Sequence, residues 1–140
     1  MKYSASMHNV DGKLDIVTKV GDGVNTLVIA PKPSGFGSSI SGGEVLFLAI
    51  ATCYTNDIYR EARHLGITVD VVEVEVDGDF MGAGMQAEKV KCKIKVTAEA
   101  SEEKIRELVE HTDAIAEIPM SLRNGTAIEL TEVIPISIEK

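Results

Sequence analysis

Cys53 and Cys92 are the only two thiols among the 140 residues, and thiols are the side chains here best suited to covalent chemistry. Cys53 closes an apolar run in "LFLAIATCYTNDIYRE", and Tyr54, Thr55, Asn56 and Asp57 follow it at once. It is either the last residue of a buried core or a thiol held at that core's edge, and spacing alone does not decide between the two. A reactive thiol needs nearby positive charge or donated hydrogen bonds to stabilise its thiolate. Arg60 lies about two helical turns on, with Arg63 and His64 beyond it, and helical spacing by itself does not make these activate the sulfur. Cys92 alternates with Val90, Ile94 and Val96 and is expected to be a small buried hydrophobe. His8, His64 and His111 are scattered without Cys or carboxylate at ligand spacing, so no metal site is expected. Gly35, Gly37, Gly42 and Gly43 lack the Lys-Ser/Thr ending of a phosphate loop. No cofactor is expected.

The elements that must place Cys53 read as follows. Residues 2–30 are strand-like, with Gly21 to Gly23 marking a turn. "PKPSGFGSSISGG", 31–43, is the one long loop, a length associated with functional loops as well as with mobile surface connections. A helix is expected over about 41–65, with Ser41 as N-cap, Glu44 in its first turn and Gly66 as its stop. "VLFLAIA" is apolar on every face, so that half should be surrounded by protein. In "ITVDVVEVEVDGDF" and "KVKCKIKV" the alternation sets acidic and basic stripes opposite one another across a hairpin. Ser101 should cap a second helix, with Ile105, Leu108 and Val109 inward. Pro119 reads as the first residue of a short third helix stopped by Gly125. The tail "TAIELTEVIPISIEK" reads as a strand. The fold class is α+β, in a single domain over 1–140.

Composition narrows the function. Twenty-two acids against 14 bases give a net charge of −8, which repels phosphate backbones, so nucleic acid is not an expected partner. The longest apolar run is too short for a bilayer, so no membrane partner is expected either. The N-terminal residues lack the apolar segment of a signal peptide, and two cysteines make no disulfide framework. The expected location is cytoplasmic.

The order of a Gly/Ser/Pro-rich loop, Glu44 at a helix start, an apolar run, Cys53 nine residues later, an alternating hairpin, a second helix and a P-x-S turn resembles the osmotically inducible protein C / organic hydroperoxide resistance (OsmC/Ohr) family. "GGEVLFLAIATC" is similar to that family's "PEELLAAALAAC" helix. The resemblance covers about residues 1–140. It implies an OsmC/Ohr-like homodimer in which a long central helix packs against antiparallel sheets of two intertwined subunits. It also implies a stress-response protein that reduces hydroperoxides through a thiol, with Cys53 as the attacking cysteine and Glu44 as the glutamate that positions it. Ile118, in "IPMS", stands where the family has its resolving cysteine, and no arginine precedes Arg60. The two readings are therefore a one-cysteine hydroperoxide reductase, regenerated by an external dithiol, and a dimer that binds an apolar small molecule without reducing peroxide. Sensing by oxidation of Cys53 is a third. Ser121, Arg123 and Asn124 either line the cleft or cap the short helix.

Overall fold

The computed structural model describes residues 1–139 in the order β1 (Tyr3–Val10), β2 (Lys13–Val20), β3 (Gly23–Leu27), α1 (Gly42–His64), β4 (Val69–Phe80), β5 (Ala87–Ala98), α2 (Glu102–Ile115) and α3 (Glu117–Arg123). The chain forms two compact units, one from Met1–Leu48 with Gly78–Lys89, the other from Ala49–Asp77 with the described part of Val90–Lys140.

In the first unit, β1, β2 and β3 form an antiparallel meander. Val10 pairs with Lys13 across Asp11-Gly12, and Val20 pairs with Gly23 across Gly21-Asp22. Both are two-residue turns, and Gly12 and Gly21 supply the positive φ (74° and 56°) that tight hairpins demand. The long loop is held against this meander. The Asn9 side chain donates to the Gly35 carbonyl (3.4 Å) and accepts from the Gly37 N–H (2.8 Å), and the Gly12 N–H donates to Gly35 (2.9 Å). At Gly35, φ is +88° and a Cβ would collide with the Asp11 carboxylate, so only glycine fits. Ser41 and Glu44 then form a reciprocal capping box at the start of α1. Ser41 Oγ accepts from the Glu44 N–H (3.2 Å), and the Glu44 carboxylate accepts from the Ser41 N–H (2.7 Å) and hydroxyl (2.8 Å).

The second unit holds most of the fully buried side chains. Ile50, Tyr54, Ile58 and Ala62 recur every four residues and form one buried stripe on α1, and Leu108, Thr112 and Ala116 form another along and just past α2. The Tyr54 hydroxyl donates to Asp113 (2.5 Å), tying the two helices together. Ser101 caps α2 through the Lys104 N–H (3.3 Å). At the base of the second sheet the Glu99 N–H donates to Thr68, and Lys95 meets Glu73 at 3.7 Å, so the acidic and basic stripes do face each other. Both side chains are well exposed, and the pair contributes at most about 1 kcal/mol.

Four expectations are corrected. Pro119 is not the first residue of α3, which begins at Glu117, and the ring is buried at the third helical position. Backbone N–H groups in a first turn have no intrahelical acceptor, so proline costs no hydrogen bond there. Cys92 is exposed rather than buried, because its stretch of β5 borders an open cleft of about 430 Å³. The tail from 126 to 139 is irregular rather than a strand, with Ile128, Leu130, Ile136 and Ile138 each more than four-fifths exposed. A period-two pattern says what a segment can pair as, and no strand among the described residues pairs with this one. The apolar start of α1 is likewise open, with Leu48 54% exposed.

Candidate functional site

Cys53, Asp57, Arg60 and Glu61 fall at i, i+4, i+7 and i+8 and so share a face of α1. Cys53 is half-buried, with its Sγ 3.5 Å from Asp57 Oδ2. The start of α3 brings two more groups to the sulfur. Glu117 Oε2 lies 3.7 Å away, and the backbone N–H of Ile118 donates to it. Arg60 binds the other oxygen of Asp57 (3.0 Å) and also Glu61 (3.0 Å), whose second oxygen meets His111 Nε2 of α2 (3.0 Å).

Burial, above all, pushes the Cys53 thiol up, the Ile118 N–H works the other way, and the Asp57 and Glu117 carboxylates raise it further. Burial also raises Asp57, helped by the charge of Glu117 and opposed by Arg60. Glu117 is lowered, chiefly by its own backbone N–H at the start of α3 and against some desolvation. Of the two acids beside the sulfur, Asp57 is therefore the readier to take a proton, and Glu117 stays charged.

Cys53 is thus at an edge, as one of the two spacing-based readings has it, and the turn at 118–121 does reach it, with a backbone N–H where a resolving thiol would stand. Glu44, placed in the site by resemblance, spends its carboxylate on Ser41, nine residues of helix before Cys53. Arg60, which spacing alone does not recruit, acts on the thiol through Asp57. Ser121 is tied to the Glu117 carbonyl (2.7 Å) and Asn124 caps α3, while Arg123 pairs with Asp113 (2.9 Å) and borders the Cys92 cleft. Sequence reasoning misses Asp57 and Glu117. Asp57 has a readable signal, four residues from Cys53 on one helix, whereas Glu117 depends on how α3 meets α1. Cys53, Asp57 and Glu117 offer one sulfur and two oxygens within 4.8 Å of one another, a grouping able to hold a metal ion, although Arg60 competes for Asp57. No histidine belongs to it.

Residues 35–131 match the family model of OsmC-like proteins. The chain belongs to the OsmC-like family. In fold this OsmC-like chain is similar to an OsmC-like protein from Mycoplasma pneumoniae (17% identity, TM-score 0.62, 88% of each chain covered). It is also similar to a hypothetical protein from Aquifex aeolicus (14% identity, TM-score 0.66, 90% of each chain). A third likeness is to the organic hydroperoxide resistance protein OhrB of Bacillus subtilis (16% identity, TM-score 0.52, 88% of this chain and 91% of that one). These identities establish a shared α+β OsmC/Ohr fold and nothing finer. No curated protein matches the sequence. No helix among the described residues is long and apolar enough to cross a membrane.

Proposed function

We propose that this OsmC-like protein is a one-cysteine, thiol-dependent hydroperoxide reductase acting as a homodimer. The observation that carries the reading is the seat of Cys53: a thiol within 3.5 Å of a carboxylate whose proton affinity is raised, with a backbone N–H pointed at the sulfur. The thiol proton passes to Asp57 as the sulfur attacks one peroxide oxygen. The O–O bond breaks, the leaving alkoxide takes a proton back and departs as an alcohol, and Cys53 is left as a sulfenic acid. With Ile118 in place of a second thiol, an external dithiol reduces that sulfenic acid, giving water, a disulfide and the free Cys53.

A homodimer is supported by what the single chain leaves uncovered. The β1–β3 meander has bare apolar side chains, including Tyr3, Met7 and Val24, the first half of α1 is partly open, and the tail is an unpaired apolar segment. A small sheet without a covered hydrophobic face has little independent stability.

With a dithiol reductant, the purified protein should consume cumene hydroperoxide, Cys53→Ser should abolish turnover, and Cys92→Ser should retain it. Equal consumption by wild type and Cys53→Ser would remove the reading. The second reading, a dimer binding an apolar small molecule without reducing peroxide, is favoured by the two carboxylates set against thiolate formation. A stoichiometric co-purified ligand, together with no Cys53-dependent turnover, would select it.

A further inference from the structure

The contacts around Cys53 do not stop at Asp57. They continue as an unbroken chain of ion pairs across two helices: Asp57 to Arg60 (3.0 Å), Arg60 to Glu61 (3.0 Å) and Glu61 to His111 (3.0 Å). The two ends differ in character. Asp57 is buried, whereas the His111 side chain is 51% exposed and borders a crevice of about 620 Å³ between the end of α1 and the start of α2. Arginine and the two carboxylates carry charge, and the histidine carries one only when protonated. Histidine takes up a proton between pH 5 and 8, whereas arginine does not lose one.

We propose that His111 is a positioning residue for Cys53: acting through Glu61 and Arg60, it sets how strongly the Asp57 carboxylate bears on the thiol, and so couples the reactivity of Cys53 to the protonation of a histidine at the surface of α2. When His111 is neutral, the full charge of Glu61 falls on Arg60, whose guanidinium is then divided between two carboxylates. When His111 carries a proton, Glu61 has a cation of its own, and Arg60 is freer to neutralise Asp57. The network also gains one positive charge. Both changes favour the thiolate of Cys53. The other groups facing the sulfur are Glu117 and the Ile118 N–H. Those sharing the crevice with His111 are Glu99 from the end of β5, and Lys104 and Glu107 on α2. None of these interrupts the Asp57–Arg60–Glu61–His111 chain.

The inference rests on reading Cys53 as the reactive thiol, so its test avoids peroxide. In full-length protein carrying Cys92→Ser, the rate at which methyl methanethiosulfonate modifies Cys53 is followed from pH 5 to 8. At pH 5.5 the protein with His111 should react about threefold faster than His111→Gln, the size expected for unit charges on the order of 10 Å apart at a partly solvated site. The two should agree at pH 8. Glu61→Gln should react at least as fast as the protein with His111 at both pH 5.5 and pH 8, because it leaves Arg60 to Asp57 whatever the charge of the histidine, and adding His111→Gln to it should change the rate little. His111→Lys, which keeps a positive charge at every pH, should stay about threefold above His111→Gln at pH 8 as well. Superimposable profiles for the protein with His111 and for the His111→Gln and His111→Lys variants would overturn the proposal, even if the substitutions lowered the melting temperature, since that would mark a purely structural pair. If the profiles separate as stated but no peroxide is consumed, the coupling stands and the reductase reading falls.

Discussion

Asp57→Asn makes Cys53 more reactive, raising its alkylation rate at pH 7 by about tenfold, which corresponds to a fall of roughly one unit in the thiol pKa. The native carboxylate lies 3.5 Å from the sulfur and holds the thiol up by its charge and by accepting its proton. Asparagine keeps the shape and removes the charge. It also ends the division of Arg60 between two carboxylates, leaving the guanidinium paired with Glu61 alone, so the surroundings of the sulfur lose one negative charge. The two effects have the same sign. The measurement is the iodoacetamide rate at pH 7 in the Cys92→Ser background. An unchanged or slower rate would mean that Asp57 does not face the thiol in solution.

A second large effect is expected in the tail. Ile128, Leu130, Ile134, Ile136 and Ile138 are all highly exposed, and their even spacing would put them on one side of an extended strand. If this segment is covered by a second copy, each isoleucine is buried twice in a symmetric dimer. Burial of one such side chain is worth about 1.5–3 kcal/mol. Ile128→Asp combined with Ile136→Asp removes four of these contributions and asks four carboxylates to lose water. Light scattering should therefore show wild type at twice the 15.0 kDa chain mass and the double variant at the chain mass. A monomeric wild type, or a double variant that remains dimeric, would contradict the proposed pairing.

The parts of the molecule legible in the sequence are those fixed by neighbours a few residues away. Gly21 to Gly23 declare a turn, Ser41 declares an N-cap with Glu44 in the first turn, and Gly66 and Gly125 mark the positive φ that ends α1 and α3, whereas the Asp11-Gly12 hairpin and the reciprocal Ser41–Glu44 box are seen only in the structure. Alternation along β4 and β5 shows which residues share a face, but not what lies over that face. This is why Cys92, in the same alternating row as Ile94 and Val96, is exposed where those two are half-buried. The tail poses the same difficulty over its whole length. At the site, Cys53 is conspicuous because an apolar run stops there, and Glu44 draws attention by its place at the helix start although its carboxylate is occupied locally by Ser41. Glu117 and the Ile118 N–H reach the sulfur only through the placement of α3 beside α1, a contact across 64 residues that no local spacing records.

The central claim is that the surroundings of Cys53 hold it as a thiol, with Asp57 to take its proton. The most direct test is the alkylation rate of Cys53 against pH in the Cys92→Ser protein. A rate that climbs about tenfold per unit from pH 7 to 8.5, with a midpoint above the free-thiol value of about 8.5, is the predicted result. A midpoint at or below pH 7 would contradict the account, because a thiolate that stable cannot be sitting between two carboxylates.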